Sequence, residues 1–197
     1  ERLHAMQELA SNLTKKRMKE GSIDFDSAEA KFRFGDEGEP TEIIKKIRLK
    51  SHRLVEEFML LANQVVAKHG GQAKKEEQRR PFLYRIHDSP DPDRVRELAV
   101  FVAQFGYKLS LEGGVRSKQL QHLLEQIKGT EVENVINEVA LRSMAKAIYS
   151  DQNIGHYGLA FDHYSHFTSP IRRYPDLVVH RLLKEYARGI PTSASSV

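Results

Sequence analysis

Apolar residues recur at spacings of three and four along much of the chain, and each such stretch predicts a helix. Leu3, Met6, Leu9 and Leu13 mark the first, and Gly21 sits where a C-cap would end it. From Ser51 to Gly71 the pattern is plainest. Leu54, Val55, Phe58, Leu61, Ala62, Val65 and Val66 form one broad apolar face, with Glu56, Glu57, Asn63 and Gln64 on the other side. Gly70 and Gly71 are expected to end that helix. Asp91 can cap another with Pro92 at its first position, after which Val95, Leu98, Val102 and Phe105 keep helical spacing. Ser117 to Tyr149 predicts two more helices, broken near Gly129, and Pro170 is expected to open a last one.

Alternation replaces helical spacing elsewhere. Ile23 and Phe25, then Phe32 and Phe34, predict two short strands, with DEGEP as a turn and TEIIKKIRLK as a third strand. PFLYRIHD predicts a buried strand and HYGLAFDHY another, while QAKKEEQRR is expected to be a solvated loop. Helices and strands alternate irregularly. The expected class is therefore α+β, with helices packed on a mostly antiparallel sheet. The tail from 189 to 197 is small and polar.

Composition narrows the function classes. The 197 residues contain no cysteine, which excludes disulfide staples and thiolate metal sites. No run of about 18 apolar residues suggests a membrane span, so a soluble cytoplasmic protein is expected. Lysine and arginine total 31 against 27 acidic residues, a net charge of +4 that permits a polyanionic partner without demanding one. His163 and His166 form an H-x-x-H pair, but no third ligand has diagnostic spacing, so no metal site is assigned.

The segment HFTSPIRRYPDLVVHR, from His166 to Arg181, carries the candidate chemistry. Ser169 suits an N-cap and Pro170 the first helical position. Pro175 would then lie about one and a half turns into the helix, where it strains the backbone. Arg172 and Arg173 would crowd a helix end that prefers anions. Two readings are open: the arginines pair with Asp176 or other carboxylates, or they hold a phosphate.

The longer segment HYGLAFDHYSHFTSPIRRYPDLVVHRLL resembles the signature of the ribonuclease R / ribonuclease II family of exoribonucleases. GSIDFDSAEAKFRF, VEEFMLLAN, LYRIHDSPDP and LRSMAKAIY resemble successive blocks of the same catalytic domain, in the family's order. The likeness covers residues 1 to 188, and the RRYPDL form is that of the ribonuclease R branch. It implies a magnesium-dependent enzyme that hydrolyses single-stranded RNA processively from the 3′ end to nucleoside 5′-monophosphates. By similarity, Arg172 is the catalytic arginine that holds the phosphate at the scissile bond, with Arg173 beside it on RNA or serving only structure. Phe25, which periodicity alone would place in the core, is implied to stack on the 3′-terminal base. Glu57 is implied to contact a ribose hydroxyl, with a solvated glutamate as the plain alternative. Tyr164, Thr168 and Ser169 are implied to line the RNA path, unless Ser169 is only a cap.

The sequence also departs from the family. No block resembles its magnesium-binding aspartate cluster, expected before residue 1. A further glutamate is expected beyond residue 197, and the flanking oligonucleotide-binding β-barrel domains are expected outside these residues. Residues 1–188 are therefore expected to be the C-terminal portion of an RNB-type catalytic domain, inert by itself. The alternative is a non-catalytic module that binds single-stranded RNA.

Overall fold

The computed structural model describes residues 1–25, 30–45, 49–71, 80–111 and 114–189. In chain order the elements are α1 (Arg2–Glu20), β1 (Ala30–Phe34), β2 (Pro40–Lys45), α2 (Lys50–Gly71), β3 (Tyr84–Ile86), α3 (Pro92–Ala103), α4 (Ser117–Ile127), α5 (Glu133–Ser143), β4 (Ile148–Ser150), a 3₁₀ turn (Tyr157–Leu159) and α6 (Tyr174–Ala187). The class is α+β as expected. The strands form two separate antiparallel pairs, β1 with β2 and β3 with β4. No helix among the described residues is long and apolar enough to cross a membrane.

Several elements start and stop where local chemistry directs. Gly21 takes φ 102°, a left-handed cap that most residues resist, and the Ser22 N–H returns to the Arg17 carbonyl. Asp91 accepts from the N–H groups of Asp93 and Arg94 at 2.8 and 3.4 Å, with Pro92 opening α3 as predicted. The Gln119 side chain accepts the Arg116 N–H at 2.7 Å and opens α4.

Two apolar cores result. The larger joins α3, α4 and α5 through Val95, Leu98, Val102, Leu120, Leu123 and Ile136. The smaller joins α2, β3 and α6 through Ala67, Phe82, Tyr84, Ile86, Val179 and Leu182. The stripe that predicted α1 is not the face it buries: Leu3, Met6 and Leu9 are exposed, while Ala10 and Arg17 are buried. α2 buries Glu57, Asn63, Ala67 and Gly70, and leaves Val55 and Val65 exposed. Two of its buried positions come from the side that amphipathicity assigned to water. They are tolerated because each polar group has a partner inside.

Other expectations need correction. Ser22–Phe25 joins no ladder; the Ile23 N–H instead donates to the Gly158 carbonyl at 2.8 Å. The strand expected in HYGLAFDHY is a 3₁₀ turn, closed by Ala160 at φ 53° and flanked by isolated bridges from His156 to His87 and Phe161. α3 ends at Ala103, before Phe105. Residues 148–150 form β4 against β3 rather than helix. α6 starts at Tyr174, not Pro170, so Pro175 falls in the first turn, where a missing N–H costs no intrahelical bond. Residues 72–79 and 190–197 of the expected loop and tail lie outside the described residues.

α2 ends at Gly71, as expected, with both glycines in its last turn. A Cβ on Gly70 would collide with the Phe82 ring, and one on Gly71 with the Tyr84 hydroxyl. These glycines let the strand segment close on the helix. Gly70→Ala is therefore expected to destabilise the fold by about 1–3 kcal/mol through overpacking, read as a lower urea midpoint. An unchanged midpoint would show that the ring moves aside freely.

Candidate nucleic-acid interface

The turn from Ser169 to Arg173 is held at both ends. The N–H groups of Arg172 and Arg173 donate to the Ser169 carbonyl at 3.2 and 3.1 Å. The Asp176 carboxylate, fully buried in the first turn of α6, reaches back to accept the Ser169 N–H at 2.7 Å and Arg173 Nη2 at 2.8 Å through Oδ2. A helix N-terminus favours that negative charge. The aspartate thus takes one arginine and leaves the other. Arg173 is half-buried against it, whereas Arg172 is exposed and forms no ion pair with any described residue. Ile171, between them and Pro170, is 97% exposed.

Behind the turn, Asn63 on α2 uses both ends of its amide. Its Nδ2 donates to the Tyr164 hydroxyl at 3.2 Å, and its Oδ1 accepts the Phe167 N–H at 2.9 Å. His180 on α6 stacks on Phe167, ring centroids 4.1 Å apart, and its Nε2 lies 2.9 Å from the Phe167 carbonyl. Three buried side-chain atoms beside this frame have no hydrogen-bond partner among the described residues: Thr168 Oγ1, Arg173 Nε and Asp176 Oδ1. Such groups carry unspent hydrogen-bonding capacity at the turn.

A row of rings continues from the turn into the protein. Tyr149 lies edge-on to His166, His166 to Tyr164, Tyr164 to His156 and His156 to His87, with centroids 4.9 to 5.7 Å apart. The Tyr149 hydroxyl is 2.7 Å from His166 Nδ1, and the Arg85 guanidinium lies over the Tyr149 ring at 4.7 Å. His87 Nδ1 accepts the Gly158 N–H at 3.1 Å, so its proton sits on Nε2, 2.8 Å from the Ala145 carbonyl. Burial lowers the pKa of all three histidines. His156 falls to about 3, with His87 adding to the effect of burial, and His166 to about 4, where the Arg173, Arg85 and Arg172 charges add. The charges of three arginines therefore reach His166 against one buried carboxylate, Asp176.

The sequence-predicted residues fall in three places. Tyr164, Thr168, Ser169, Arg172 and Arg173 come together at the turn. Ser169 does not cap α6; its backbone, not its hydroxyl, meets Asp176. Phe25 packs partly buried against the larger core and lines a mostly apolar cavity of about 780 Å³ with Ile23, His87, His156 and Leu159. Glu57 is buried against Arg17, 2.6 Å from Nη2, and borders a separate cavity of about 370 Å³. The 3₁₀ turn contributes to the first of these cavities, and Ala160 and Phe161 just after it to the second. Sequence reasoning missed Arg17, Asn63, Arg85, Tyr149 and the histidine row. Their partners are distant in sequence, 101 and 104 residues away for Asn63, so no local pattern marks them. Among the described residues no group of three or more His, Asp or Glu side chains is placed to hold a metal. The described residues therefore do not fit a magnesium site.

A family model described as the RNB domain matches residues 1–189. Ribonuclease R of Aquifex aeolicus is 44% identical over 96% of this chain and 26% of its own length. Ribonuclease R 1 of Lactococcus lactis is 45% identical over 93% of this chain and 22% of its own. Among solved structures, Mycoplasma genitalium RNase R in complex with ribose-methylated single-stranded RNA superposes with a TM-score of 0.84 at 29% identity, over 93% of this chain and 28% of that one. The chain thus spans about a quarter of the length of the relatives it matches.

The histidine row sets an acid limit on the fold. Folded histidines with lowered pKa stay neutral, while unfolded ones take up a proton near pH 6.5. Below that pH the unfolded state binds more protons, so stability falls as pH drops from 6.5 toward 4 and is full above it. The urea midpoint is expected to fall between pH 7 and 4.5, and to fall less in His156→Gln. Equal slopes in both proteins would remove His156 as a cause.

Proposed function

The chain belongs to the RNB-domain family, and on that footing we propose that it is the phosphate-holding portion of a ribonuclease R-type 3′-to-5′ exoribonuclease. The substrate of this reading is single-stranded RNA, degraded processively to nucleoside 5′-monophosphates. The observation that carries it is the division of labour between adjacent arginines. Asp176 neutralises Arg173 and builds the turn, and Arg172 is left exposed and uncommitted. A guanidinium is planar, permanently charged and matched to two phosphate oxygens, so it stabilises charge that grows on them during hydrolysis. Arg85 adds to the positive field that an RNA backbone would meet.

Around that centre the remaining roles follow the family likeness. Thr168 and Ser169 border the strand at the turn, and Tyr164 supports it from beneath. Phe25 offers a ring beside an apolar cavity suited to a base, and Glu57 an oxygen to a ribose hydroxyl. Magnesium dependence rests on the family alone. Because the described residues form no metal cluster, this reading places the metal ligands, and the oligonucleotide-binding domains, in parts of a longer protein that this chain does not include. The chain alone is then a binding scaffold without turnover, and a cytoplasmic setting suits its substrate.

In the full-length protein, Arg172→Ala is expected to lower turnover by about 10²–10³-fold, the usual effect of losing one preorganised charge contact. RNA affinity should change far less, because the lost contact acts mainly in the transition state. Single-turnover cleavage and filter binding measure the two. Normal turnover in Arg172→Ala, or mononucleotide release by the 197-residue chain with excess magnesium, would contradict the reading.

A further inference from the structure

Among the described residues one ion pair is completely buried, and it is not at the arginine turn. Arg17, near the end of α1, and Glu57 on α2 are 5% and 4% exposed. Arginine and carboxylate usually meet as two parallel bonds, one to each oxygen. Here both reach the same one: Nε at 3.3 Å and Nη2 at 2.6 Å converge on Glu57 Oε1. The third nitrogen, Nη1, donates to Ser22 Oγ at 2.6 Å, and that hydroxyl lies 3.4 Å from the Gly158 carbonyl. Arg17 is therefore anchored by the turn that follows Gly21 and by the 3₁₀ turn. Its placement does not depend on Glu57 alone.

That geometry leaves Oε2 outside the pair. Glu57 borders the cavity of about 370 Å³, whose wall also carries Lys16, Glu20, Gln64 and Asp162. With the Arg17–Glu57 pair neutral and Lys16 facing Glu20 at 4.0 Å, Asp162 leaves the lining slightly negative. A phosphate is disfavoured there. A neutral group that donates hydroxyl hydrogens is favoured, since an ionised carboxylate only accepts. A sugar diol has that chemistry.

We infer that Arg17 is a positioning residue for sugar selection: it pins one oxygen of Glu57 so that the other faces a ribose hydroxyl. This rests on the ribose role given to Glu57 above. Removing Arg17 leaves a buried carboxylate without its partner, free to turn and lose its aim. A site built to accept from a hydroxyl discriminates against the sugar that lacks it.

The test uses the full-length protein and two oligonucleotides, one all-ribose and one with deoxyribose at its 3′-terminal positions. The readout is the ratio of their kcat/KM values. Glu57→Gln and Arg17→Met are each expected to lower the ratio about tenfold, with the double variant no lower than either. Arg17→Lys should keep part of it. A lowered ratio in Glu57→Gln with a wild-type ratio in Arg17→Met would overturn the inference and spare the ribose role. An unchanged ratio in Glu57→Gln would remove the ribose role itself. If Arg17→Met fails to fold, Ser22→Ala serves, because it removes one anchor of Arg17 and leaves the pair. It should lower the ratio severalfold while the protein still unfolds cooperatively, at a somewhat lower melting temperature; a wild-type ratio there would contradict the inference.

Discussion

A buried carboxylate shapes the candidate site. Asp176 is sealed from water in the first turn of α6, a costly place for a charge unless it is paired and hydrogen-bonded. The Ser169 N–H, the Arg173 guanidinium and the helix N-terminus supply that compensation. In exchange the carboxylate fixes a five-residue turn that has no ladder or helix to hold it. Rotating Asp176 out would free Arg173 and release the Ser169 N–H together, leaving only the backbone bonds to the Ser169 carbonyl to present Arg172.

The same logic extends across the chain. α2 is both a wall of the smaller core and the source of two buried polar side chains, Asn63 and Glu57. Asn63 ties the helix to Tyr164 and Phe167, just before the arginine turn. Glu57 ties it to α1 through Arg17. One rigid helix thus sets the position of the arginine turn and of the second cavity. Ala67 and Gly70 keep that helix tight on Phe82, and the β3 strand that follows Phe82 bonds back to the Tyr164 carbonyl through the Arg85 N–H. Packing and polar contacts converge on one segment, 164–176.

Much of this was legible in the sequence where the signal is local. The cap at Asp91, the left-handed stop at Gly21 and the break near Gly129 each depend on a few neighbouring residues, and each appears as expected. The α+β class followed from the mixture of periods. What failed was decided at long range. Amphipathicity placed Glu57 and Asn63 in water because it cannot see partners 40 and 104 residues away. Alternation in HYGLAFDHY read as a strand, but its backbone bonds go to His87, Ile23 and its own turn. With two prolines five residues apart, the helix could begin at either; the later start avoids a proline in the interior and frees Asp176 to act as a clamp. Family likeness named Arg172, yet pattern alone left its pairing open, and only the geometry divides it from Arg173.

The most direct measurement is native-state amide hydrogen exchange at Ser169 in the RNA-free protein, compared with Asp176→Asn. A turn pre-shaped by the buried carboxylate requires a protected Ser169 amide in the wild type and a clear loss of protection in the variant, with the α3 amides unchanged. A Ser169 amide that exchanges freely in the wild type, or equally slowly in both proteins, would contradict the account.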